Sequence, residues 1–199
     1  MPICESSTPD YGGSNGGGGN PSGTTETNVG YNVDFSGWWG YNDNAKATNN
    51  RHQEEFKRAG KALNVDWRLI SALAQQESGY DETVCNESDH CGLYQYDRPT
   101  WSDYAEEAYK NDYEKRKDAH IATATLIKHW TQKKSQFCSH IQNINDQTAC
   151  IIQCHHDGSI KFKNNSSRQK WEDVDLSNKS KAAKQYLSLI IDKYHNLCQ

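Results

Sequence analysis

No stretch of this chain approaches the ~20 consecutive apolar residues that a membrane-spanning helix needs. The charge balance also lacks a basic excess. Its 22 Lys and Arg stand against 26 Asp and Glu, for a formal net charge of -4. A nucleic-acid binder would usually show a basic stripe, so no nucleic-acid partner is expected. No Ser-His-Asp spacing stands out, and no glycine loop precedes a helix as a phosphate cradle does. No internal repeat is visible. The opening "MPIC" has neither a basic region nor an apolar stretch, so it does not read as an export signal.

Cysteine, by contrast, is plentiful. Seven are many for an intracellular protein of this size, and they fit an oxidising compartment. The expected location is therefore secreted or periplasmic, with the export signal trimmed or another route used. Cys4 lies in a Gly/Ser/Asn-rich head and is the odd one out. Cys85, Cys91, Cys138, Cys150, Cys154 and Cys198 remain, and six cysteines allow fifteen pairings. Cys85 with Cys91 is the first choice, because the two bracket the short polar turn "NESDH". Each bridge would stabilise the fold by about 2–4 kcal/mol.

The head, residues 1–30, has no apolar period and reads as a flexible linker. Residues 31–199 suit one domain with a core large enough to fold alone. It begins with the aromatic, turn-rich "YNVDFSGWWGYND". "NNRHQEEFKRAGKALN" then places Phe56, Ala59, Gly60 and Leu63 on one helical face, with Asn49 or Asn50 as cap. "NVDWRLISALAQQESG" is a second helix, with Asn64 as cap, Ile70, Leu73 and Ala74 as its stripe, and Gly79 as its end. "DETVCNESDHCGLYQYDRP" reads as a loop or short hairpin. A short helix capped by Thr100 follows. Further helices are expected from the apolar spacing in "DAHIATATLIKHWTQKK", "DQTACIIQCHHDG" and "SKAAKQYLSLIIDKYHNLC". Residues 135–146 and 159–178 carry no clear pattern. Many helices and few strand candidates give a mainly α or helix-rich α+β domain.

One residue breaks the pattern. Glu77 falls in line with Ile70, Leu73 and Ala74, not with Gln75 and Gln76 on the wet face. A carboxyl held against apolar neighbours loses hydration, and its pKa rises. The C-terminal end of a helix carries partial negative charge, which disfavours a carboxylate further. A carboxyl that keeps its proton near neutral pH is the group needed to protonate a glycosidic oxygen. The plain alternative is a Glu that reaches water at the edge of the stripe or pairs with Arg98.

The surroundings of Glu77 bear on that choice. "ALAQQESGYDETV" followed by "CGLYQYDRPTW" resembles the soluble lytic transglycosylase and goose-type lysozyme superfamily. That pattern runs Ala-x-x-x-x-Glu-Ser-Gly-aromatic, then Gly-Leu-bulky-Gln after a short loop. The resemblance is specific across residues 69–101 and implies a lysozyme-like fold: a helical domain with a small loop or hairpin subregion beside a cleft. It also implies that Glu77 is the catalytic acid and that Ser78 takes the place of a serine that bonds the acid or the substrate. Gly92, Leu93 and Gln95 match the second motif, with Tyr94 where Met is common and Gln95 facing the sugar. Where such families carry Ala-Tyr-Asn-Ala-Gly, this chain has "CHHDG", so His155 and His156 replace the Tyr and Asn. Tyr186 and Tyr194 are available for the tyrosine that many relatives supply near the C-terminus.

Hydrolysis needs a second group, and the loop between the motifs offers Asp89 and Asp97. Asp97 is the first choice for activating water, and its alternative role is to cap the next helix. Without a second carboxylate, the sugar's own N-acetyl group and 6-hydroxyl would complete the reaction and leave an anhydro end. Aromatic rings stack on pyranose faces. Tyr80, Tyr94 and Tyr96 flank the acid and are cleft candidates, whereas Trp67, Trp101 and Trp130 fit ordinary core packing. His156 and Tyr186 join them as sugar contacts. Cys150, Cys154, His155 and His156 tempt a zinc reading, but adjacent histidines diverge and four-ligand spacing is missing, so neither metal nor cofactor is expected.

Two classes of function follow. One is an enzyme that cuts the β-1,4 bond between N-acetylmuramic acid and N-acetylglucosamine in peptidoglycan, with chitin as an alternative polymer. The other is a non-catalytic glycan-binding or wall-docking module on the same fold. The expected protein is a monomer. If it were a toxin aimed at rival cells, an inhibitor or immunity protein would be its partner.

Overall fold

The computed structural model describes residues 39–40, 50–159, 161, 175 and 181–198. The glycine-rich head with Cys4 lies outside them, as do Asn49 and Trp171. The fold is mainly helical. Among the described residues the helices are α1 (Gln53–Leu63), α2 (Trp67–Ser78), α3 (Arg98–Tyr104), α4 (Ala119–Lys133), α5 (Ile144–Asp157) and α6 (Lys181–Leu197). A short 3₁₀ turn, Tyr113–Lys117, precedes α4, and a π turn, Lys134–Cys138, follows it.

The centre of the molecule is α2. Every residue from Trp67 to Ala74 is buried, including Arg68 and Ser71. A helix that is apolar nearly all round needs cover on every side. Here α1 and α6 pack against α2, and α4 packs on α1. Gly60 permits the close turn from α1 into α2, because a Cβ there would meet the Val65 carbonyl oxygen at 2.7 Å and Trp67 Cβ at 2.8 Å. The polar groups at the start of α2 are paired. Asp66 accepts from the Arg68 guanidinium at 2.6 Å and from the Tyr194 hydroxyl at 3.1 Å. Trp39, fully buried, accepts the Asp66 amide on its carbonyl at 2.7 Å and donates its own amide to Asn145 at 3.0 Å.

The helices occur where the apolar spacing places them, but three caps differ from expectation. Asn64 does not open α2. It ends α1 in the left-handed conformation, φ 55°, which asparagine tolerates, and Asp66 caps α2 by accepting the Arg68 amide. His52, not Asn50, precedes α1, and Asn50 instead accepts the His52 amide at 2.8 Å. Asp97, not Thr100, caps α3, accepting the Thr100 amide at 2.8 Å.

Two disulfides join described residues to one another. Cys85–Cys91 closes the loop after α2, as expected. Cys138–Cys150 ties the π turn to α5 and is buried at both ends. The loop between the motifs is a tight irregular hairpin. Its pairing is limited to isolated bridges, Cys85 with Cys91 and Cys91 with Tyr96. Gly92 sits at its base with φ 83°, and a Cβ there would lie 1.8 Å from the Arg116 carbonyl oxygen. Only glycine fits.

Candidate active site

A cleft of about 610 Å³ opens beside the C-terminal ends of α2 and α5. Glu77 comes from the last turn of α2, which Gly79 ends in the left-handed conformation. Its carboxyl lines the cleft and keeps a small face toward solvent, yet protein fills most of the space around it. Burial is the main cause that lifts its pKa from 4.5 to about 7. Two neighbours act the other way: the Tyr186 hydroxyl donates a hydrogen bond to Glu77 Oε1, and His156 adds positive potential whenever it carries a second proton. The carboxyl is therefore part-protonated near neutral pH and held in place by a buried phenol.

Of the other expected site residues, Gln95, Asp97 and His156 line the same cleft. Gln95 adopts φ 49° and spends its amide N–H groups on Gly92 and Val84 carbonyls, at 2.9 and 3.2 Å, which holds the hairpin turn. Tyr186 reaches the site through its hydroxyl and through its ring, which lies 4.4 Å from the His156 ring, centroid to centroid.

Four expected residues stand behind the wall. The Ser78 hydroxyl lies 3.1 Å from both the Ala74 and Leu93 carbonyls, so it pins the end of α2 to the second motif. Leu93 is fully buried. Tyr94 is buried with its hydroxyl 3.0 Å from Thr123 Oγ1. Tyr80 turns toward Ser71 and packs on Phe56, beside a separate depression that includes Arg51 and Glu82. Asp89, the other loop carboxylate, is engaged by Arg98 at 2.5 Å and Arg116 at 3.1 Å, and these guanidinium groups hold its pKa below the ordinary value.

Tyr96, a cleft candidate from the sequence, does line the cleft, and with it come residues that were expected elsewhere or not weighed. Tyr96, Tyr104, His129 and His155 form an aromatic cluster along it. The Trp130 indole, which can only donate, sends its N–H to His155 Nδ1 at 3.3 Å. The proton of His155 is thus on Nε2, where it is shared with the Tyr94 carbonyl at 3.3 Å. Burial lowers the pKa of His155 to about 4 and that of His129 to about 2, so both are neutral. His129 shares the apolar spacing of Ile121, Thr125 and Leu126 in α4, the pattern of a core residue. His156 differs from its neighbour: its side chain is about one-third exposed, and its Nδ1 lies 2.7 Å from Asp157 Oδ1. Cys150, one of the thiols considered for zinc, is bonded to Cys138.

No curated protein gives a significant match to the chain. The family model for the transglycosylase SLT domain matches residues 54–175, from α1 through both motifs and the end of α5. Tyr186 lies beyond that match. With Glu77, the Gly-Leu-Tyr-Gln turn and a cleft on one helical frame, the chain belongs to the transglycosylase SLT domain family, whose members act on peptidoglycan as lytic transglycosylases or related glycosidases.

Proposed function

We propose that this protein cleaves the β-1,4 bond between N-acetylmuramic acid and N-acetylglucosamine, with Glu77 as general acid. The carbohydrate chain lies in the cleft, and the Glu77 hydroxyl donates its proton to the glycosidic oxygen as the bond to the sugar carbon breaks. The resulting carboxylate faces the positive charge that develops on the sugar ring, and the Tyr186 hydroxyl fixes its orientation. The observation that carries this reading is a cleft carboxyl whose pKa burial raises to about 7. Raised and partner-bound groups of that kind cluster at catalytic sites.

Gln95 and His156 supply polar contacts to the sugars from the cleft wall. Ser78, Leu93 and Tyr94 shape that wall from behind, and Tyr80 braces the end of α2. Asp97 is the carboxylate of the loop between the motifs that lines the cleft and could activate water, and capping α3 occupies one of its oxygens. The substrate places the action of the enzyme outside the cytoplasm, at the cell wall.

Clearing of a purified peptidoglycan suspension by wild type and by Glu77→Gln is the test. Wild type clears and the variant does not. Equal clearing by both would reject Glu77 as the acid, and no clearing by either would favour a glycan-docking module. Chitin oligomers in the same assay decide whether the lactyl group of the muramic sugar is needed.

A further inference from the structure

Resting on the Glu77 reading, we propose that His156, oriented by Asp157, is the base that delivers water to the sugar carbon, so that cleaved chains end in a reducing sugar. The arrangement is a base with its orienting acid. Asp157 has a side chain only 5% exposed, and one of its oxygens lies 2.7 Å from His156 Nδ1. The other accepts the Gln153 amide at 3.0 Å. An ionised carboxylate can only accept, so the proton of a neutral His156 is on Nδ1 and the lone pair is on Nε2. An imidazole fixed in this way by a buried carboxylate is the tautomer that takes a proton from an attacking oxygen. Its neighbour His155 cannot serve, because both of its ring nitrogens are already engaged, by Trp130 and by the Tyr94 carbonyl.

The placement relative to the acid also fits. Tyr186 touches Glu77 with its hydroxyl and the His156 ring with its own ring. A phenol thus stands between acid and base, and both line one cleft. In the step itself, Glu77 gives its proton to the leaving oxygen and the bond from that oxygen to the sugar carbon breaks. The water oxygen bonds to the carbon, and its proton passes to His156 Nε2. Solvent exchange then returns both groups to their starting states. When the water is not activated, the 6-hydroxyl of the sugar closes on the same carbon, its proton passes to the Glu77 carboxylate, and an anhydro end results.

The experiment is digestion of purified peptidoglycan in H₂¹⁸O, with the released fragments separated by mass spectrometry into ¹⁸O-labelled reducing ends and anhydro ends. Wild type is expected to give labelled reducing ends. His156→Asn is expected to lower their rate of formation by about 100-fold or more, the range for loss of a general base, and to shift the remaining product to anhydro ends. Asp157→Asn, which keeps the side-chain shape, is expected to shift the partition in the same direction. Circular dichroism verifies that both variants fold. Anhydro ends alone from the wild type would overturn the proposal, as would an unchanged partition in folded His156→Asn. Loss of labelled ends in Asp97→Asn but not in His156→Asn would overturn it in favour of Asp97. If the wild type releases nothing, both the Glu77 reading and this one fail. Only this one fails if cleavage depends on Glu77 but yields no labelled ends.

Discussion

Replacing the acid should stabilise the protein, and only above acidic pH. Glu77 has a pKa of about 7 in the folded state, against 4.5 for its ordinary value. Between those values the folded protein still holds the proton that the unfolded chain has released. Stability therefore falls as pH rises from about 4.5 to about 7 and levels off above. A gap of roughly 2.5 units corresponds to about 3 kcal/mol at pH 8, since each unit is about 1.4 kcal/mol. Glutamine cannot ionise, and its oxygen still accepts the Tyr186 hydroxyl. Glu77→Gln should thus escape the penalty. In a domain of this size each kcal/mol moves Tm by about 2–4 °C, so the gain over wild type should be about 6–12 °C larger at pH 8 than at pH 4. Thermal unfolding followed by circular dichroism at the two pH values measures it. Any packing cost of the amide is common to both and cancels in the difference. The same shift in Tm at pH 4 and pH 8 would refute the claim that desolvation holds the proton on Glu77, whatever happens to activity.

The activity of the wild type should mirror that titration. kcat/KM on soluble muropeptide chains should fall tenfold per pH unit above about pH 7, where the acid loses its proton. Tyr186→Phe removes a hydrogen bond that lowers the Glu77 pKa, so the alkaline limb should move up while the maximal rate drops; an unmoved limb would remove Tyr186 from the site. The double variant Cys138→Ser with Cys150→Ser opens a loop of sequence separation 12 and should cost about 3 kcal/mol in denaturant unfolding. Gly92→Ala forces a methyl group into the Arg116 carbonyl and should abolish soluble expression or lower stability by several kcal/mol, read by urea midpoint.

The helices were legible because their apolar periods are strong, and α4, α5 and α6 occupy the segments whose spacing called for them. The caps were less so. Asn64 and Asp66 lie two residues apart and either could cap α2 by composition. What decides is the left-handed turn that ends α1, a backbone property with no signature beyond asparagine itself. The stripe that drew attention to Glu77 is also only part of the truth. The first two turns of α2 are buried on all sides, so Glu77 is desolvated by the cleft wall and by α6, not merely by one helical face. The partition of "ESGYD" and "CGLYQYD" between cleft and interior could not be read from spacing. Tyr80 and Gln95 adopt positive φ there, a departure from regular structure that side-chain periodicity does not anticipate. Cys138–Cys150 was one of many permitted pairs until the π turn brought its ends together.

His155 and His156 show why the chemistry of this cleft had to wait for the fold. Adjacent residues on a helix point about 100° apart. One ring is sealed between Trp130 and the Tyr94 carbonyl while the other reaches the cleft, and a sequence cannot say which. Once α5 is placed, a common principle connects the proposed acid and the proposed base. Glu77 is the penultimate residue of α2, and His156 is the penultimate residue of α5. Each helix therefore brings the negative end of its dipole to the same cleft. That potential disfavours a carboxylate and favours an imidazolium. It helps Glu77 hold the proton that it gives in the proposed reaction. The contribution is about 0.3–1 kcal/mol for a helix end, against a net shift at Glu77 worth about 3 kcal/mol, of which burial is the largest cause. Burial thus dominates the charge state of Glu77, and the helix end acts on it in the same direction.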